Sequence, residues 1–88
     1  MATVFIPALL RNYTGGRESV TAVGRTLGQI IKDLDRQFPG LASKLVEADH
    51  LKQSLAASVD GELAVAGLFE AVEEQSEIHF LPAISGGS

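Results

Sequence analysis

One amphipathic helix with clear boundaries constrains the fold of this chain more than any other feature of the sequence. Its apolar residues recur at helical spacing and form a single stripe: Leu27, Ile30, Ile31, Leu34 and Phe38. Thr26 is a favourable N-cap residue, and Gln29, three positions later, completes a capping box. Pro39 cannot continue the helix and Gly40 tolerates a left-handed exit, so we expect the helix to end there. A single stripe of this kind has to be buried against a second layer.

The segments on either side of the helix predict that this second layer is a β-sheet. Five strands are predicted from their apolar, β-branched and aromatic residues, at positions 3–10, 17–23, 55–59, 62–65 and 77–82. Tyr13-Thr14-Gly15-Gly16 predicts the turn of an N-terminal hairpin, and Asp60-Gly61 is a strong signal for a second one. Residues 41–47 are expected to add a short turn or two, and residues 49–52 an exposed loop.

The order of these elements predicts an α+β chain with the β-grasp (ubiquitin-like) architecture. We expect a mixed sheet of four to five strands with one main helix packed on one face, and with the final strand parallel to the first at its centre. Residues 1–82 would form this domain, and residues 83–88 a flexible tail carrying Gly86-Gly87. Alternation along the first and last strands assigns four residues to the core, Val4, Ile6, Ile78 and Phe80. It leaves Phe5, His79 and Leu81 together on the face without the helix.

Composition excludes several classes of function. The 88 residues suffice for one domain, and the net charge of −4 argues against nucleic-acid binding as the main task. Without cysteine there is no disulfide and no thiol nucleophile, and no apolar run is long enough to span a membrane. The first residues resemble a strand more than a signal peptide, so the expected location is cytoplasmic. His50 and His79 lack metal-ligand spacing, so we expect no metal. The serines have no nucleophile-elbow context and Gly15-Gly16 is not a phosphate loop, so we expect no bound cofactor and no catalytic activity of the chain's own.

The glycine pair that follows the last predicted strand is the main chemical feature. Glycine has no Cβ, so a Gly86-Gly87 backbone can thread a narrow channel, and residues 82–87 could extend roughly 20 Å from the domain. A slim tail of this length can carry an α-carboxylate into another protein's active site. ATP-dependent adenylation would make that carboxylate electrophilic, and sulfide or a persulfide could then convert it to a thiocarboxylate. Taken alone, a glycine pair near a chain end is more often an irregular terminus.

Sequence motifs along the whole chain resemble the MoaD/ThiS family of ubiquitin-like sulfur carriers. The motifs that carry the resemblance are, in order, Ile6-Pro7-Ala8-Leu9-Leu10-Arg11, Tyr13-Thr14-Gly15-Gly16, Thr26-Leu27-Gly28, Phe38-Pro39-Gly40-Leu41 and Phe80-Leu81-Pro82-Ala83-Ile84-Ser85-Gly86-Gly87. The most specific signal is the combination of two of these motifs, the ending at residues 81–87 and the hairpin residues Thr14-Gly15-Gly16. Residues 54–59 depart from the usual strand of the family, so the resemblance indicates no particular pathway.

The resemblance implies a carrier that serves other enzymes. Gly87 would be adenylated by an E1-like enzyme that uses ATP, converted to a thiocarboxylate, and used by a sulfur-accepting biosynthetic enzyme, with Gly86 needed for passage into the activating site. Because Ser88 follows Gly87, either a JAMM-type peptidase removes it or it is foreign to the natural chain. The residues expected to bind partners are Phe5, Leu68, Phe69, His79, Leu81, Pro82 and Ile84.

Three other functions fit the same features. The chain could be a permanent small subunit of a molybdopterin-synthase-like complex, a ubiquitin-like modifier of protein lysines, or a β-grasp interaction domain with an irrelevant tail. The acidic residues between 70 and 77 favour a solvated surface over a docking patch for a basic partner.

Overall fold

A computed structural model of the chain describes residues 1–82. The strands are β1 (Ala2–Phe5), β2 (Ser19–Ala22), β3 (Val46–Glu47), β4 (His50–Leu51), β5 (Leu55–Val59), β6 (Glu62–Leu63) and β7 (Glu77–Pro82). The α-helices are α1 (Leu27–Gln37) and α2 (Ala42–Leu45), and two 3₁₀ helices span Ala8–Thr14 and Gly67–Phe69.

Five of the strands form one mixed sheet in the order β2-β1-β7-β5-β6. β7 lies at its centre, parallel to β1 and antiparallel to β5, while the remaining pairs are antiparallel. The predicted β-grasp fold is therefore confirmed, with the last strand between the first strand and the second hairpin. β3 and β4 form a separate two-stranded sheet.

Helix α1 has the predicted N-cap and buries the predicted stripe. The Thr26 hydroxyl oxygen accepts a hydrogen bond from the Gln29 backbone N–H at 3.2 Å. The Gln29 side chain accepts from the N–H of Arg25 at 2.8 Å, one residue earlier than a capping box requires. The four apolar residues of the helix itself are buried: Leu27, Ile30, Ile31 and Leu34. Each such burial contributes about 1.5–3 kcal/mol, which is how the helix is held on the sheet.

The core lies between α1 and one face of the sheet, as the alternation predicts. Val4, Ile6, Ile78 and Phe80 are all buried, and they are joined there by residues of β2 and β5: Val20, Ala22, Ala57 and Val59. Phe38 lies just beyond the helix end, where its N–H bonds to the Leu34 carbonyl at 2.7 Å, and it packs against the core from the side.

The predicted strand at 3–10 is wrong in its second half. β1 ends at Phe5, and the chain continues as the 3₁₀ helix Ala8–Thr14 instead of entering a tight hairpin. Pro7 has no N–H for the ladder, and its carbonyl accepts the first bond of the 3₁₀ helix, from Leu10 at 2.9 Å. Thr14 is buried, and its hydroxyl lies 3.0 Å from the carbonyl oxygens of both Arg11 and Arg17. These local bonds replace the ladder that a longer hairpin would need.

The expected exposed loop at 49–52 is also wrong in part, because His50 and Leu51 form β4. Val46 pairs with Leu51 and Glu47 with His50 in a two-residue hairpin. Both turn residues, Ala48 and Asp49, have positive φ angles of 52° and 67°. This is the geometry of a type I′ turn, which matches the twist of paired strands.

Candidate functional site

The face of the sheet that α1 does not cover is the candidate functional surface. Strand register places Phe5, His79, Ser58 and Leu63 side by side on this face, one from each of β1, β7, β5 and β6. Leu81 and Ala56 form the next pair along β7 and β5. We call these six residues the open face. The sequence prediction that Phe5, His79 and Leu81 share one side of the sheet agrees with this register.

The centre of the open face is a stacked pair of rings. The ring centroids of Phe5 and His79 are 4.3 Å apart, and their planes are inclined by only 6°. The two residues are direct neighbours in the parallel ladder between β1 and β7, which brings their side chains together. Aromatic pairs of this kind contribute about 0.5–1.5 kcal/mol beyond the area they bury. The pair is a rigid, largely apolar platform.

Exposed apolar side chains extend this platform along β7 and across the sheet to β6. Leu81 of β7 is 43% exposed and Leu63 of β6 is 63% exposed, whereas Ser58 of β5, which lies between His79 and Leu63 in the register, is buried. Contiguous exposed apolar residues are typical of protein interaction surfaces. Ala56, Ser58 and Leu63 were missed by the sequence reasoning. The Asp60-Gly61 turn could have identified Ser58 and Leu63, since a two-residue turn at this position pairs Leu63 with Ser58.

Two hydrogen bonds to one carboxylate hold the beginning of β7 in place. The Asp60 carboxylate accepts from the Glu77 N–H at 2.9 Å and from the Ser76 hydroxyl at 2.8 Å. The Glu77 N–H, and after it the Ser76 hydroxyl, keep the pKa of Asp60 below its ordinary value. Ser76 is itself buried and accepts from the Glu73 N–H. The β5–β6 turn is thereby fastened to the strand that carries His79.

Phe69 and Leu68 lie on the other side of the molecule. The 3₁₀ helix Gly67–Phe69 packs on α1, where a Cβ at Gly28 would come within 3.2 Å of the Leu68 carbonyl oxygen. The Phe69 side chain is 84% exposed beside a groove that Ile31, Ala42 and Val46 help to line. The predicted partner-binding residues therefore occupy two surfaces, the open face and this groove, separated by the core. Pro82 is the last residue of β7 and is exposed.

The predicted site residues nearest the chain end lie outside the described residues. They are Ile84, Gly86, Gly87 and Ser88. In sequence they follow directly on β7, the strand that carries His79 and Leu81 through the open face.

A protein-family model decides the identity of the chain. The model of the ThiS family matches residues 4–87. The chain belongs to the ThiS family. The predicted family resemblance is confirmed, and the match includes both the open face and the glycine pair.

Individual relatives agree with this assignment to the ThiS family. The chain is 33% identical to the sulfur carrier protein CysO of Mycobacterium tuberculosis, over 97% of both chains. It is 35% identical to a chain of the Amycolatopsis orientalis BexX/CysO complex, with a TM-score of 0.91 and coverage of 99% of this chain and 100% of that one. Its similarity to SAMP1 from Haloferax volcanii is weaker, with 27% identity, a TM-score of 0.71 and coverage of 98% of both chains.

Within residues 1–82, no group of three or more histidine, aspartate or glutamate side chains is placed to hold a metal ion. His50 lies in β4, far along the chain from His79 in β7, and the two are not brought together. No helix of the described residues has the length and apolar character needed to cross a bilayer.

Proposed function

We propose that this ThiS-family chain is a sulfur carrier that bears a thiocarboxylate on Gly87. An E1-like enzyme would bind ATP, and the Gly87 carboxylate would attack the α-phosphorus and displace pyrophosphate. Sulfide would then attack the acyl-adenylate and displace AMP. A persulfide sulfur would displace AMP in the same way but give an acyl disulfide, and a second thiol would cleave its S–S bond by forming a disulfide with the donor's sulfur. The resulting thiocarboxylate would donate its sulfur to a biosynthetic acceptor enzyme. The observation that carries the proposal is the ThiS-family match through residue 87, joined to 33% identity with a sulfur carrier protein.

The glycine pair suits this chemistry for a steric reason. An activating site must exclude water from the acyl-adenylate, so its entrance has to be narrow. Gly86 and Gly87 have no side chains to obstruct such an entrance. Substituting Gly87 by alanine adds one methyl group at the reacting residue, and we expect it to abolish most adenylation.

The Gly87–Ser88 peptide bond has to be cut before activation. As long as Ser88 is attached, the Gly87 carbonyl is an amide and offers no carboxylate to ATP. A JAMM-type zinc peptidase is the class of enzyme that we propose for this step. The free protein is thus a precursor, and its processed form is the substrate of the activating enzyme.

The open face is the docking surface that we propose for the activating enzyme. Phe5 and Leu81 offer apolar area around His79, and β7 leads from them directly to Pro82 and the glycine pair. An enzyme that holds this face is therefore next to the point where the tail begins. Leu68 and Phe69 form a separate contact surface on the helical side. The BexX/CysO complex supports the idea that a relative of this chain works by binding partner proteins.

A ubiquitin-like modifier is the second candidate function. The 27% identity to SAMP1, whose name in a related structure is small archaeal modifier protein 1, favours it. The activation step is the same in both cases, and only the nucleophile that attacks the activated Gly87 carbonyl differs. A lysine amine would give an isopeptide bond in place of a thiocarboxylate.

The intact mass of untagged protein isolated from its own cells tests these proposals. The carrier proposal predicts loss of Ser88 and replacement of one terminal oxygen by sulfur, with neither change in the Gly87→Ala variant. Lysine-linked adducts without any thiocarboxylate would support the modifier instead. Full activity of a chain shortened to end at Ala83 would contradict both.

A further inference from the structure

A groove on the helical side of the molecule runs between α1 and the β3–β4 hairpin. Its walls include Ile31 of α1, Ala42 of α2 and Val46 of β3, and its volume is about 430 Å³, enough to hold a phenyl ring. Phe69 belongs to the rim of this groove and is 84% exposed. A projecting aromatic side chain and a hollow that could receive one therefore lie next to each other on the same surface.

The charged side chains of the groove have opposite signs. Lys32 of α1 and Asp49 of the β3–β4 turn both line it. Neither of them takes part in an ion pair within residues 1–82. A partner that complements this groove has to offer an apolar side chain flanked by one group of each charge. The surface of the groove itself, with Phe69 beside Lys32 and Asp49, carries that set.

We propose that the occupant of the groove is a second copy of the chain, bound about a two-fold axis so that each Phe69 enters the groove of the other copy. Two-fold contacts use the same surface on both copies, so a surface that carries both the projection and the hollow supplies both halves of the contact. Lys32 of each copy then lies opposite Asp49 of the other, and this ion pair is formed twice. The inference goes beyond the proposed function and does not depend on it, because the open face lies across the core from the groove.

The size of this contact predicts a weak dimer. An aromatic side chain buries about 150–250 Å² when it is covered, and two rings with the walls that receive them stay below about 1,200 Å², the lower limit of stable interfaces. We expect a Kd on the order of 100 µM, with the ion pairs fixing the orientation more than they add affinity. Both open faces stay accessible in such a dimer, since each lies on the opposite side of its own core.

Sedimentation equilibrium of the full chain tests the proposal at concentrations from about 10 µM to about 1 mM, on either side of the expected Kd. The average mass should rise from that of one chain towards that of two. Phe69→Ala should raise the Kd by at least about tenfold, because central aromatic residues dominate interfaces. Leu9→Ala is the matched control. Leu9 is 91% exposed but lies in the 3₁₀ helix Ala8–Thr14, outside the groove, so its truncation should leave the Kd unchanged.

Charge reversal identifies the two-fold arrangement. Lys32→Asp alone places like charges at both ion pairs of the dimer, and so does Asp49→Lys alone, so each variant should stay monomeric at about 1 mM. An equimolar mixture of the two variants restores opposite charges at both positions and should associate with about the native Kd. A non-specific effect of net charge predicts the reverse order. Asp49→Lys changes the net charge of −4 by +2, to −2, and would then self-associate more readily than the native chain.

Three outcomes would overturn the inference, with circular dichroism showing that each variant is folded. A native chain that stays monomeric at about 1 mM would leave the groove to a different protein. A dimer that Phe69→Ala does not weaken would use another surface. A mixture of the two charge variants that associates no better than either variant alone would exclude the two-fold pairing. Thiocarboxylate formation is measured separately by the intact mass, so none of these outcomes bears on the proposed function.

Discussion

Gly24 shows how a single residue can set the distance between two elements. It lies between β2 and α1, and a Cβ at this position would come within 2.8 Å of the Gln29 Cβ and 2.9 Å of the Ile30 backbone nitrogen. Contacts this short involve helix backbone, which cannot move aside as a flexible side chain would. Gly24 therefore permits the close approach that brings the N-terminus of α1 against the sheet.

We predict that Gly24→Ala destabilises the protein by about 1–3 kcal/mol, the usual cost of overpacking a tight contact. The matched control is Gly28→Ala, where the nearest atom is 3.2 Å away and the gain in helix propensity, about 1 kcal/mol, offsets the strain. Urea unfolding followed by circular dichroism measures both changes. An unchanged free energy of unfolding for Gly24→Ala would contradict the close approach.

A network around Asp33 joins α1 to the edge strand β2. Asp33 accepts hydrogen bonds from the Arg36 side chain, at 2.7 and 3.0 Å, and from the Val23 N–H at 3.1 Å. Gln37 adds a bond to the Thr21 carbonyl at 2.9 Å. Polar groups of an exposed edge strand are available to pair with other chains. The helix covers the end of this edge with its own side chains.

The same network should make stability depend on pH. The Arg36 hydrogen bond, followed by that from Val23, holds the pKa of Asp33 below its ordinary value of 3.8. Since the folded-state pKa is the lower one, the stabilisation is present above pH 3.8 and is lost as the pH falls through the folded value. We expect Asp33→Asn to lower stability at pH 7 by at most about 1 kcal/mol, with the difference shrinking towards zero in acid.

Urea midpoints measured from pH 7 to pH 2.5 check this expectation. Asp49→Asn is the control, because it removes the same charge from the turn between β3 and β4. The Asp49 carboxylate makes no hydrogen bond to any residue in the range 1–82. A difference between native and Asp33→Asn chains that persists unchanged at pH 2.5 would contradict the assignment.

At the scale of the whole molecule, the two candidate contact surfaces point in opposite directions. Phe5 and His79 lie on the bare side of the sheet, while Phe69 is beside the groove on the helical side. The helix–sheet core separates them. A partner that contacts only the open face leaves Phe69 exposed, so the two surfaces can serve different partners.

We predict that Phe5→Ala weakens binding to the activating enzyme by about tenfold, since a central aromatic residue typically contributes more than 1 kcal/mol to an interface. Phe69→Ala removes the same side chain from the opposite surface and should change this affinity less than about twofold. Titration calorimetry measures both, with circular dichroism to show that each variant is folded. Equal losses for the two variants would mean that one partner contacts both surfaces.

Local sequence patterns determined a large part of this structure. The limits of α1, its N-cap at Thr26 and the buried stripe depend on neighbouring residues along one helix, so the sequence could predict them. The alternation in β7 places His79 opposite the core for the same reason, and residues 77–82 form the strand that was predicted.

Burial in the folded chain and strand order decided the rest. The 3₁₀ helix at Ala8–Thr14 replaces a strand where Thr14 is buried and its hydroxyl lies against the Arg11 and Arg17 carbonyls of the same turn, an arrangement that no propensity of single residues shows. Leu63 joins the open face, and Phe69 is excluded from it, only because of the strand order and the packing of Gly67–Phe69 on α1. The sequence by itself determined which residues could be exposed and apolar. The tertiary structure decided which of them share a surface, because that depends on elements far apart along the chain.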